Sequence, residues 1–188
     1  MEVNILRELA EAAPLQGIYP SDLFPPSIYY RFFRLLTERM KPRCSVELGL
    51  GGGGCSLHMA LGYPNGRVIG IDRRNIYPAH FAHVIETCPN FEFWHMDSIE
   101  AATRYEGMAL PPVDILFIDT LHTYERTMAE FAAWESLLAS DAVVILDDLF
   151  RGGMDRVWQE LPGEKARFDL LHIGGESTDG GFGVVYNI

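Results

Sequence analysis

The stretch "VELGLGGGGCS" sets Gly49 and the run Gly51–Gly54 between an apolar segment and one with helical spacing. Glycines at such a turn let the backbone bend sharply and approach a ligand, with the first N–H groups of the helix facing it. Gly49-x-Gly51-x-x-Gly54 fits a dinucleotide-binding fingerprint, a pattern of low specificity on its own. Asp72 closes the next apolar segment, "RVIGID", where a carboxylate can accept hydrogen bonds from both hydroxyls of a ribose. Glycine loop and acid together predict a ligand with an adenosine-like part. Asp97-Ser98 follows the third apolar segment and reads as a cap for the helix from Ile99 onward.

A second group of residues is acidic. Asp119 ends "VDILFID", and Asp147 and Asp148 end "AVVILDD". In an open α/β sheet these strand ends share one rim, where ligands bind. Three carboxylates there repel one another unless a cation sits among them, and a hard divalent ion with oxygen ligands, such as Mg²⁺, meets that need. Such an ion can hold a substrate oxygen and lower the pKa of a hydroxyl. His122 stands three residues past Asp119 in "FIDTLHTYE", and an imidazole beside a substrate hydroxyl can take its proton. His58, His80, His83, His95 and His172 show no ligand spacing and are assigned structural or surface positions.

Alternating elements must position these groups. Met1–Ala13 is an expected short helix, and residues from Ser27 to Met40 form another, stopped by Pro42. Strands are expected at "CSVELGL", "RVIGID", "FEFWHM", "VDILFID" and "AVVILDD". Helices are expected at Cys55–Gly62, from Pro78 to Thr87, at Ser98–Tyr105, at Glu125–Leu138 and at Met154–Leu161. In the long helix Met128, Phe131, Ala132 and Leu138 fall near one face. Near-continuous apolar strands suit a parallel sheet covered on both faces. "FDLLHI" and "FGVVYN" have only "GGESTDGG" between them, too little for a crossover helix, so they should form an antiparallel hairpin at the sheet edge. The predicted fold is α/β: a seven-stranded, mostly parallel sheet with helices on both faces and a C-terminal antiparallel β-hairpin. Residues 1–42 read as an N-terminal helical extension or lid and 43–188 as the main domain, with Tyr19, Phe24, Tyr29 and Tyr30 over the site.

The chain has 188 residues and a formal charge of −11, and no Lys/Arg run. That charge argues against nucleic acid or an anionic membrane as a partner and for a small-molecule substrate. Cys44, Cys55 and Cys88 are odd in number and lack metal spacing, which fits reduced thiols in a cytoplasmic protein. No apolar segment approaches membrane-spanning length, and the acidic N-terminus is no secretory signal. The N-terminal extension could serve a homodimer.

From about Ile28 to Ile188 the chain resembles the class I S-adenosylmethionine-dependent methyltransferases. It is most similar to the metal-dependent small-molecule O-methyltransferases of the macrolide-sugar and cephalosporin hydroxylase-like group. The resembling residues are Glu47-x-Gly49-x-Gly51-x-Gly53, Asp72, Asp119-x-x-His122-x-Tyr124, Trp134 and "VVILDD". The resemblance implies a Rossmann-like fold and S-adenosylmethionine as cofactor. Glu47, Gly49, Gly51, Gly53, Asp72, Asp97, Ser98 and Asp119 would contact that cofactor, with Glu47 toward its amino-acid end and Asp97-Ser98 at the adenine. It further implies Asp119, Asp147 and Asp148 as ligands of Mg²⁺ or another divalent cation and His122 as general base; Gly54 is then a packing residue. An NAD-dependent oxidoreductase, or a protein that binds the cofactor without methyl transfer, stands as the alternative.

Overall fold

Strands rich in Val, Ile and Leu, buried on both sides, need a helical layer on each face. The computed structural model describes residues 28–75, 82, 86, 88–167, 181 and 183–188, and in these it builds that three-layer arrangement. The elements run α1 (Ile28–Met40), β1 (Cys44–Leu48), α2 (Gly54–Gly62), β2 (Arg67–Asp72), β3 (Phe91–His95), α3 (Ser98–Gly107) and β4 (Val113–Ile118). They continue with α4 (Tyr124–Trp134), β5 (Leu138–Leu146), α5 (Met154–Glu160), β6 (Glu164–Arg167) and β7 (Gly183–Tyr186). The sheet order is β3-β2-β1-β4-β5-β7-β6. The first five strands pair in parallel, and β7 runs antiparallel to both β5 and β6.

Period-two alternation divides the core. Ile115 and Phe117 of β4 pack with Phe33 and Leu36 of α1 and Leu57 of α2. Leu116 and Ile118 pack on the other face with Phe131 and Trp134 of α4. At the opposite end of the sheet from the glycine loop, Asp114 accepts N–H bonds from Arg43 (2.6 Å) and Cys44 (3.2 Å) and binds the Arg43 guanidinium at 2.7 Å. That carboxylate pins the start of β1 to β4. Helix α1 ends where Lys41 turns left-handed (φ 52°) before Pro42.

The expected architecture holds, with local corrections. The long helix ends at Trp134, four residues before Leu138; Glu135–Leu137 form a 3₁₀ turn and Leu138 already pairs with Val113. Its buried stripe is Thr127, Glu130, Phe131 and Trp134, while Ala132 is exposed. The polar Thr127 and Glu130 hid this stripe from hydrophobic spacing. The antiparallel partner of β7 is Glu164–Arg167; "FDLLHI" lies outside the described residues, as do residues 1–27, His80, His83 and most of the helix expected from Pro78 to Thr87. No helix among the described residues is long and apolar enough to cross a membrane.

Helices α1 and α2 meet at Gly62, where an added Cβ would lie 2.1 Å from Thr37 Oγ1 and 2.4 Å from the Arg34 carbonyl oxygen. Gly62→Ala improves intrinsic helix propensity by about 1 kcal/mol but forces the helices apart. Overpacking of this kind costs about 1–3 kcal/mol, so chemical denaturation should show net destabilisation; a more stable variant would refute close packing at this point.

Candidate cofactor and acid site

The β1–α2 turn begins at Gly49, whose φ of 89° and position beside β4 both exclude a side chain: a Cβ would sit 1.9 Å from the Asp119 carbonyl oxygen. Gly51 (φ 51°) faces open space and donates its N–H to Asp72 Oδ2 at 3.1 Å. Gly53 is the left-handed N-cap of α2. Gly54 packs as expected, since a Cβ there would strike the Tyr30 ring at 2.4 Å. Tyr30 stacks on His58 with centroids 4.7 Å apart. Its phenol is pushed up to about 12 by burial and by nearby Cys55 and Glu47.

Glu47 is 2% exposed and accepts a hydrogen bond from Ser56 Oγ. Burial raises its carboxyl to about 8, against the lowering effect of Ser56, and Asp72 and Asp147 add to the rise.

A cavity of about 390 Å³ opens outside this turn, lined among others by Gly49, Gly51, Asp72, Met96, Ser98 and Asp119. Asp72, Ser98 and Asp119, expected on one ligand, therefore meet in one hollow at the carboxyl ends of the strands. Asp72 Oδ1 also accepts the Arg74 N–H at 2.8 Å. Asp97 caps α3 through Ile99 N–H (2.9 Å) and binds Arg126 Nη2 (2.9 Å). Trp134, fully buried, donates Nε1–H to the Ser98 carbonyl at 2.9 Å and so sets that residue's position.

Asp119 connects this cavity to the second cluster. One ligand atom each from Asp119, His122 and Asp147 lie within 4.8 Å of one another. His122 Nε2 is 3.4 Å from Asp119 Oδ1 and 3.6 Å from Asp148 Oδ2. Asp148 is in turn paired with Arg151 at 2.8 Å. Thus Asp119, Asp147 and His122 form the close group, and Asp148 stands at its edge beside an arginine. Desolvation raises both Asp119 and Asp147, and each is raised further by a neighbouring acid, Asp147 for the first and Asp148 for the second. Among the described residues, Asp147 Oδ1 and His122 Nδ1 are buried without a hydrogen-bond partner. An opposite charge placed among such carboxylates favours their charged forms, and the unpartnered oxygen on Asp147 suits an oxygen-seeking ion.

His122 (φ 48°) and Asp148 (φ 51°) are both left-handed non-glycine residues, a strained backbone state. The β5–α5 loop holds the first: Gly152 lies against the His122 carbonyl and accepts the Tyr124 N–H at 3.0 Å. Tyr124 itself turns away, its ring under Arg156 and its hydroxyl donating to Glu160 at 2.5 Å. Sequence reasoning missed Thr120, Arg126, Glu130 and Arg151. Hydrophobic spacing carried no signal for Glu130, a polar residue on a buried face.

A family model described as a methyltransferase domain matches residues 46–149. The fold is similar to that of an O-methyltransferase from Bacillus cereus solved with SAH, at 19% identity and a TM-score of 0.66, covering 99% of this chain and 92% of that one. It is also similar to the O-methyltransferase TomG from Streptomyces achromogenes, involved in tomaymycin synthesis and solved with SAM (17%, TM-score 0.69, 99% and 90%). A third likeness is to a putative caffeoyl-CoA O-methyltransferase from Staphylococcus aureus (16%, TM-score 0.68, 99% and 92%). Comparison with curated proteins gives no match.

Glu47 carries a stability consequence with a definite sign. Its folded pKa of about 8 lies above the ordinary 4.5, so its acid form favours folding below 4.5 and that stability is lost as pH rises toward 8. Without divalent cations, Tm should fall across this window. Glu47→Gln should remove about one proton's worth of the slope, about 1.4 kcal/mol per pH unit. Identical slopes in the two proteins, read by thermal melts at stepped pH, would contradict a neutral buried Glu47.

Proposed function

The chain belongs to the methyltransferase-domain family, and from that premise we propose that it is an S-adenosylmethionine-dependent O-methyltransferase acting on a small-molecule hydroxyl with a divalent cation. The observation that carries this reading is the shared position of Asp119, which lines the nucleoside-sized cavity and also belongs to the Asp119–His122–Asp147 group. Cofactor and acceptor sites are thereby adjacent, as a direct methyl transfer requires. The likeness to O-methyltransferases solved with SAH and SAM supports it.

In this reading Asp72 takes the ribose hydroxyls, exchanging its bonds to the Gly51 and Arg74 N–H groups for them, and Met96 and Ser98 meet the base. Gly49 and Gly51 leave room for the methionine part. Asp119 and Asp147 would hold the cation, with Asp148 joining if it leaves Arg151. When bound, the cofactor supplies an electrophilic methyl on a sulfonium, and the cation would lower the pKa of the acceptor hydroxyl. His122 Nε2 is the group placed to receive the hydroxyl proton as the oxygen–methyl bond forms and the sulfur–methyl bond breaks. Asp119 and Asp148, both near that nitrogen, balance the charge the ring then carries. Leu121 and Phe150, exposed apolar residues beside His122 and Asp148, suit an acceptor with an apolar body.

SAH should raise Tm and NAD should not; stabilisation by NAD alone would overturn the reading in favour of an oxidoreductase. With a responsive acceptor from a screen of small hydroxyl compounds, His122→Ala should lower kcat by about 10²–10⁴-fold with SAH affinity kept. Full turnover in that variant would remove His122 from the chemistry. Asp147→Asn should weaken divalent-cation binding measured by titration calorimetry.

A further inference from the structure

Glu130 lies on the sheet-facing side of α4 with no exposure, and no step above uses it. A carboxylate withdrawn from water is costly unless its oxygens are answered. Here Oε1 accepts from Ser98 Oγ (2.5 Å) and Arg126 Nε (2.9 Å), and Oε2 accepts from Thr120 Oγ1 (2.7 Å). Arg126 extends the network through Nη2, which donates to Asp97 Oδ2 (2.9 Å) and Ser98 Oγ (2.5 Å). Ser98, Thr120 and Arg126 all line the cavity described above.

The network fixes a hydrogen-bond polarity. A hydroxyl has one proton and two lone pairs, and an ionised carboxylate only accepts. Ser98 and Thr120 both give their proton to Glu130, so whatever part of either hydroxyl a ligand meets is lone pair. Arg126 spends its Nε and Nη2 hydrogens inside the network, leaving those on Nη1. A purine with an exocyclic amine supplies the missing donor, and a ring nitrogen next to it can accept from Nη1. A purine with a carbonyl at that carbon sets acceptor against acceptor, and both lose their partners.

We propose that Glu130 is a specificity-determining residue: by holding Ser98 and Thr120 as acceptors, it makes the cavity select an amino-purine nucleoside over its oxo-purine counterpart. The proposal rests on the cavity being the nucleoside cofactor's site. Glu130 acts through its neighbours and does not touch the cofactor, so it is a positioning residue. Thr120 and Ser98 belong to the loops after β4 and β3, so one carboxylate sets the polarity of two separate segments.

The test is calorimetric titration of the full chain with SAH and with its deaminated analogue, S-inosylhomocysteine. The native chain should prefer SAH by about 10- to 100-fold, the range that an unpaired buried polar group costs. Glu130→Gln, whose amide donates as well as accepts, should bring the ratio toward parity. Should that variant fail to fold, Thr120→Val removes one hydroxyl while Glu130 keeps Ser98 and Arg126, and should lower the ratio even though the unanswered Oε2 also lowers Tm. A general loss of structure weakens both nucleosides together and leaves the ratio alone. An unchanged ratio in either folded variant, or equal affinities in the native chain, overturns the proposal. Absence of binding by either nucleoside to the native chain overturns the cofactor reading itself, a result distinct from SAH binding without discrimination.

Discussion

Negative charge gathered at the carboxyl edge of the sheet is the constraint to which the surrounding structure answers. Glu47, Asp72, Asp119, Asp147 and Asp148 come from the ends of β1, β2, β4 and β5, in a chain whose formal charge is already −11. Each is compensated differently. Asp72 takes two backbone N–H groups, and Asp148 takes Arg151. Glu47, Asp119 and Asp147 lean instead toward their neutral forms, because burial and mutual repulsion outweigh the few donors that reach them. Positive charge brought among the last two would favour their charged forms, as the His122 imidazole already does for Asp147.

Strand register brings these acids together. Leu48 pairs with Ile118, and Ile118 with Leu146, so residues 49, 119 and 147 leave the sheet at one level. The ladder continues one step beyond the strands, with the Asp119 N–H on the Leu48 carbonyl (2.8 Å) and the Asp147 N–H on the Ile118 carbonyl (3.2 Å). Gly49 is forced by this closeness as much as by its φ, since the Asp119 carbonyl occupies the space of a side chain. The glycine and the acid are thus one feature of β1–β4 pairing.

This explains what the sequence could and could not reveal. Strand-end acids and the glycine turn were legible because both arise from period-two apolar runs that stop at a polar or flexible residue. Register, and with it the adjacency of Gly49, Asp119 and Asp147, follows once the parallel order is known. The Glu130 network was not legible, because a polar residue on a buried face breaks the hydrophobic pattern by which buried faces are found. The expected face of Met128, Phe131, Ala132 and Leu138 left out Thr127 and Glu130 and took in Ala132, which is exposed. The 3₁₀ turn at Glu135–Leu137 escaped too, since nothing in "ESL" stops a helix; pairing of Leu138 with Val113 does. Arg151 was invisible for another reason, since its role depends on a left-handed turn at Asp148.

The left-handed residues and the buried network bear on one loop. His122 at φ 48° stores strain of about 1–3 kcal/mol, and a strained residue between Asp119 and α4 would relax if its flanks were free. They are not free. Thr120 is tied to Glu130 on one side, and the Tyr124 N–H is tied to the Gly152 carbonyl on the other. Two bonds, one to Glu130 of α4 and one to the loop carrying Asp148, therefore clamp the five-residue passage that contains His122. The imidazole keeps Nε2 near both Asp119 and Asp148 because neighbouring elements hold the backbone there, so the precision of the site belongs to the loops' partners as much as to the loops.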